Sequence, residues 1–435
     1  MGDGVPVRSS GEAGRVPSLA SAGVILAAAT VLANALSYAM TIVLTRSFGP
    51  AEYGALGTLL GMGLIGGIPA GALQYVLARR TAASGLRDGV NEPAGLTLAV
   101  VVGAALTVVV VAISPLAAAY FHLAGPLPTI WLGVLLLPYT VGGALLGSML
   151  GHERYLAFGL AQIVQAGTRF LAAVVSALAG LSVAGTIGAL AAGTAVGTIV
   201  LWWMSSPRSW RSRGPTDPRP LVGDLTRACS AIAGMAVLSS LDLLLARHYL
   251  SADASGTYAL AGLFAKASLW GASFVPVVVF PRLSRGAAAG NGRLLLRSAL
   301  AVLAVGVACV GLAEVAAGPL VRVVAGDDTG YADAIGLAAP FAVLGLLWAL
   351  TQFALLAAVA AGDPRPGRLL WLLLTVEAAV IVVAPHDSPG GVLTSSLAVT
   401  SALTLGGLLL AGLSAAATRR VPKTALALPA PSESG

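Results

Sequence analysis

The feature that most constrains this chain is a dozen apolar stretches, mostly about 20 to 25 residues long, divided by short polar segments. About 20 apolar residues in a helix cross the roughly 30 Å hydrocarbon core of a bilayer. The stretches are rich in Leu, Val, Ala and Gly and lack strict alternation, which fits helices rather than barrel strands. Composition agrees: 57% of the residues are hydrophobic and 10% are charged, against about 25% charged in soluble domains. The fold class read from this is an all-α polytopic membrane protein.

Twelve spans are predicted, at roughly 20–45, 54–78, 94–118, 128–150, 155–179, 182–204, 226–247, 256–280, 295–317, 334–360, 367–386 and 391–416. With both termini cytoplasmic, 20 of the 25 basic residues fall on the inner side. They include Arg79, Arg80 and Arg87, Arg208 to Arg227, Arg282 to Arg297, and Arg365 and Arg368. Arg46, Arg247 and Arg322 lie at outer ends, and Arg169 and Lys266 lie inside spans. This asymmetry is the positive-inside pattern, so the net charge of +7 reflects topology and no nucleic-acid partner is expected. Arg8 and Arg15 precede a run reaching Leu44 with no evident cleavage site, read as an uncleaved first helix.

The longest inner loop, 205–224, separates two sets of six spans. The organisation read from this is a disordered N-terminal tail (1–18), an N-lobe (19–204), the inter-lobe loop, a C-lobe (225–416) and a C-terminal tail (417–435). The sets echo each other. LTR (44–46), Tyr53-x-x-x-Gly57 and Arg80 match LAR (245–247), Tyr258-x-x-x-Gly262 and Arg285, with a Tyr-to-Arg interval of 27 residues in both. Both copies run in the same direction, as in a parallel repeat about an axis along the membrane normal, and such halves commonly hold a substrate site between them.

The block 33–80, ANALSYAMTIVLTRSFGPAEYGALGTLLGMGLIGGIPAGALQYVLARR, resembles the opening helices of bacterial polysaccharide-biosynthesis flippases. These form the Wzx-like branch of the MOP superfamily, which also holds MATE drug exporters and lipid II flippases. The block 239–285 resembles that family's seventh and eighth helices, with Asp242 in an apolar run, Gly256-x-Tyr258 after the outer loop, and Phe280-Pro281-Arg282 at the exit. The resemblance covers about a fifth of the chain. It implies a two-lobed, V-shaped, MATE-like fold with a central cavity and alternating access. It also implies a polyprenyl-pyrophosphate-linked oligosaccharide as substrate, no cofactor, and polysaccharide polymerase or glycosyltransferases as neighbours in the cell membrane.

Ionisable residues inside a membrane cost roughly 3 kcal/mol on insertion scales and default to functional candidates. Arg169 shares a helical face with Gln162 and Gln165, which stand seven and four residues before it. Lys266 lies near the middle of the eighth span. Each half thus offers a cation, and both are candidates to attract the pyrophosphate. A charge pair at 4 Å contributes about 4 kcal/mol at an effective dielectric of 20, comparable to the insertion cost. The alternative is an ion pair or hydrogen bonds that only join helices. Glu377 is a candidate carrier of a coupling proton, or else the partner of an interior cation. Asp242 could pair with Arg46 or Arg247 as an outer gate, or be a solvated helix end.

Asn34, Ser37, Tyr38 and Thr41 form a stripe on the first span. With Gln74 and Tyr75, they offer hydrogen bonds to sugar hydroxyls or to neighbouring helices. Gly67 and Pro69 mark a hinge or a close-packing site in the second span. Gly61-Met-Gly-Leu-Ile-Gly66 satisfies a dinucleotide-binding pattern, but it follows no strand and is rejected. Cys229 and Cys309 read as small buried residues, and the four histidines lack ligand spacing. No Asp or Glu falls inside the first six spans, with Glu52 and Glu92 assigned to loops, which points to an anionic substrate. The competing readings are a MATE-type drug or metabolite antiporter and a membrane glycosyltransferase, polymerase or ligase. An enzyme of that class needs catalytic groups on a sizeable outer loop, and the outer loops here are short.

Overall fold

The computed structural model describes residues 19–84, 91–205, 219–284, 292–326, 329–361 and 363–419, nearly all of them helical. Parts of the tails and the arginines at 87, 208, 211, 213 and 285 lie outside the described residues. In a bilayer every backbone N–H and C=O must be satisfied within the segment, which is why such sequences become helices.

The first half comprises α1 (Leu19–Ser47), α2 (Pro50–Gly66), α3 (Ile68–Ser84), α4 (Asn91–Ala112), α5 (Ser114–Tyr120), α6 (Leu127–Gly151), α7 (Tyr155–Leu178) and α8 (Val183–Met204). The second comprises α9 (Arg219–Leu238), α10 (Leu241–Tyr249), α11 (Ala252–Ser284), α12 (Gly292–Ala325), α13 (Ala334–Ala361), α14 (Arg365–Val383) and α15 (Pro389–Arg419). Each of the twelve predicted spans falls on one of these helices or on a consecutive pair. Eleven segments of the described residues are long and apolar enough to cross a membrane. The remaining predicted span lies on α11, whose 33 residues reach about 50 Å. The loop expected over 205–224 is shorter than that, because α9 already begins at Arg219.

Three spans are broken helices. The second changes from α2 to α3 at Gly67. Pro69 has no N–H for the helix ladder, and a Cβ at Gly67 would stand 2.7 Å from the Tyr139 ring. The predicted hinge position is therefore a real helix junction. The third breaks at Ile113, just before Pro115, and the seventh at Ser239–Ser240.

Within the first half, α6 packs against α3, α4 and α8, and α7 packs against α1 and α8. Within the second, α13 packs against α11, α12 and α15. The halves meet through α2 on α11, α3 on α9 and α1 on α12. The α2–α11 contact joins the two repeat copies. Tyr53 and Tyr258 are both buried, and the positions of Gly54 and Gly57 face Ser255 and Ala259. Small residues let backbones approach closely where no hydrophobic force draws helices together.

Candidate functional site

Inside the first half, Gln165 is buried between α6 and α8. Gly142 leaves the room for its side chain, and its Nε2 has no partner. One turn on, Arg169 donates from Nε to the Gln165 carbonyl at 3.2 Å. Its guanidinium stands 5.6 Å from the centroid of the Tyr139 ring, a cation–π distance. Among the described residues the other guanidinium nitrogens have no hydrogen-bond partner. Gln162 lies near Thr30 of α1, with the Thr30 hydroxyl 3.4 Å from its Oε1. Of the predicted stripe, Gln165 is buried while Gln162 and Arg169 are half-buried, and Tyr139 stands between Arg169 and the Gly67 junction.

Inside the second half, Asp242 is 2% exposed and Glu377 is 1% exposed. The Tyr258 hydroxyl donates to Asp242 Oδ2 at 2.8 Å. Lys266 lies within electrostatic range of Asp242. Glu377 also feels Asp242, and the Ser396 hydroxyl sits beside it without full hydrogen-bond geometry. Across the second half's interior, Ser268 Oγ, Gln352 Oε1, Glu377 Oε2, Ser396 Oγ and Thr400 Oγ1 are buried without partners. Buried polar atoms normally find partners, so these five leave unmet hydrogen-bonding capacity in the second half. The sequence reading needs correction here. Asp242 is neither a solvated end nor the partner of Arg46 or Arg247; it bonds to Tyr258.

The two arginines do other work at the end of the bundle where α10 meets α11. Arg247, 5% exposed, donates to the carbonyls of Phe121 (3.0 Å), His122 (3.2 Å) and Ala51 (3.3 Å), and to Ser255 Oγ (2.8 Å). It thereby ties α10 to the first half. Next to it, the His248 ring stacks on Tyr120 at 3.9 Å, with Nδ1 2.8 Å from the Tyr120 carbonyl. Arg46 of α1 donates to the Val323 carbonyl of α12 at 2.7 Å, and the Tyr331 hydroxyl donates to the Phe48 carbonyl at 3.1 Å. At the opposite end Arg80 of α3 bridges to Asp224 of α9, with Nη2 to Oδ2 at 2.7 Å. Sequence reasoning missed that pair because 144 positions separate its members.

The remaining candidates are peripheral. Asn34 is exposed, while Ser37 and Thr41 donate to carbonyls of their own helix and not to neighbouring helices. Gln74 is half-buried, and its backbone packs against Gly147. Glu52 and Glu92 stand in the first turns of α2 and α4, not in loops.

No family model and no curated protein matches the chain by sequence. Solved structures do match. An inward-facing multidrug-resistance MATE transporter of the MOP superfamily superposes with a TM-score of 0.69, over 88% of this chain and 95% of that one, at 14% identity. The chain has a MATE-type fold. The lipid II flippase MurJ in an inward closed conformation gives 0.65 over 91% of this chain and 90% of that one, at 11% identity. An outward-facing MATE structure gives 0.57, at 15% identity over 92% of this chain and 97% of that one. These neighbours are transporters, and the chain is a multi-pass membrane protein of transporter fold.

Proposed function

We propose that this protein is a flippase of the Wzx-like branch. It moves a polyprenyl-pyrophosphate-linked oligosaccharide from the inner to the outer leaflet of the cell membrane by alternating access, for surface-polysaccharide synthesis. The observation that carries this reading is the charge division between the halves. The first half holds the uncompensated Arg169, with Tyr139 and Gln165, and no mid-span carboxylate. The second holds Asp242 and Glu377 together with Lys266. A cation in a low-dielectric interior attracts a pyrophosphate strongly. The carboxylates suit proton coupling, with Glu377 as the carrier. The phosphate contact falls to Arg169 first, because its half offers the pyrophosphate no competing carboxylate.

A drug antiporter is the second reading. It is favoured by the extent of the match to the inward-facing multidrug transporter and by the buried carboxylates themselves. Deleting the gene and extracting lipids separates the two. The flippase reading expects a lipid-linked oligosaccharide stranded on the cytoplasmic face, complemented by the parent gene but not by Arg169→Ala at equal expression. Absence of the stranded lipid, together with sensitivity to drugs, overturns it in favour of the exporter.

A further inference from the structure

The seventh span is assigned to the second half by chain order, yet α9 packs chiefly against α3 of the first. Leu221 and Leu225 of α9 are buried in one cluster with Ala72, Leu73, Val76 and Leu77 of α3. At the arginine-rich end of this seam, one carboxylate serves two arginines. Asp224 Oδ2 takes Arg80 Nε at 2.8 Å and Nη2 at 2.7 Å, and Oδ1 takes Arg227. The Arg80 and Asp224 side chains are 26% and 15% exposed. At the other end of the same broken span, the buried Arg247 is held by backbone carbonyls and Ser255.

We propose that Arg80–Asp224 is a releasable latch between the halves, and that it must open for the arginine-rich end to part. The two ends of the seventh span differ in kind. A partly exposed ion pair exchanges with water and is screened by salt. A buried guanidinium bonded to carbonyls does neither, because leaving it unpaired is costly. Asp224 also holds apart the positive charges of Arg80 and Arg227, so neutralising it turns a link into a mutual repulsion. The arginine-rich end is therefore the yielding end. This holds whichever molecule is carried, and goes beyond the substrate reading above.

The test uses the full chain in proteoliposomes, with Cys229→Ser and Cys309→Ser, and Val76→Cys as reporter on the α3 seam, where the native side chain is 7% exposed. The labelling rate by a membrane-impermeant maleimide is read from the arginine-rich side. Asp224→Asn and Arg80→Gln should each raise it several-fold. The double variant should label no faster than the faster single, because both remove one interaction. High salt should accelerate the parent and leave Asp224→Asn unchanged. Parent rates in both single variants, or multiplied effects in the double, overturn the latch. If Asp224→Asn is not recovered as folded protein, Arg80→Gln and the salt response decide alone. Labelling requires no transported substrate, so this result is independent of the flippase test.

Discussion

A single methyl group at Gly256 tests the contact that holds the repeat copies together. A Cβ there would collide with the Pro50 carbonyl and lie 2.7 Å from Pro50 Cα. The facing position is tight too, since a Cβ at Gly54 would stand 2.5 Å from Ser255 Oγ and 2.8 Å from Gly256 N. Non-bonded contacts are comfortable at about 3.5–4.0 Å, so Gly256→Ala forces α2 and α11 apart by about 1.5 Å or more. The obstruction is main chain on both sides, and no rotamer change relieves it. Overpacking of this kind costs about 1–3 kcal/mol. In a protein that alternates between states, the strain is relieved in the state where this end is parted. The equilibrium should then move toward that state by about 5- to 150-fold. Maleimide labelling at Leu56→Cys, buried on α2, reads the opening from the side opposite the arginine-rich end. Gly49→Ala is the control, because nothing lies within 4 Å of its Cβ position. Equal labelling in the two backgrounds would refute the close contact.

Two further outcomes follow from the buried polar groups. Arg247→Ala removes the donor shared by three carbonyls and the Ser255 hydroxyl, and buried groups left unsatisfied cost about 1–3 kcal/mol each. The thermal unfolding midpoint in detergent should fall clearly, and Arg247→Lys should not restore it, since one ammonium lacks the planar fork of donors. An unchanged midpoint in Arg247→Ala would dismiss the hub. Glu377→Gln keeps the shape of a buried side chain but cannot carry a proton. Transport driven by an imposed pH gradient should lose its pH dependence in this variant, and a parent-like profile would remove Glu377 from coupling.

The broad architecture was legible because each span must satisfy the bilayer alone. Length, apolar composition and helical backbone pairing are local demands, so residues 128–150 or 155–179 declare their helices without reference to any neighbour. The Gly67–Pro69 junction was legible for the same reason, since a missing N–H and a missing Cβ act within one turn. That Gln162, Gln165 and Arg169 share one face of α7 followed from helical period.

The sequence by itself determined that this chain is a bundle of membrane helices, which end carries the arginines, and which residues are costly to place in lipid. Only the tertiary structure decided their partners. Asp242 bonds to Tyr258 and not to an arginine, Asp224 reaches Arg80, and Arg247 holds carbonyls that leave no mark in any sequence pattern. The physical reason is that burial of a charge depends on residue type, which is local. Compensation of that charge depends on which helix faces it, and that is fixed by packing across the whole fold.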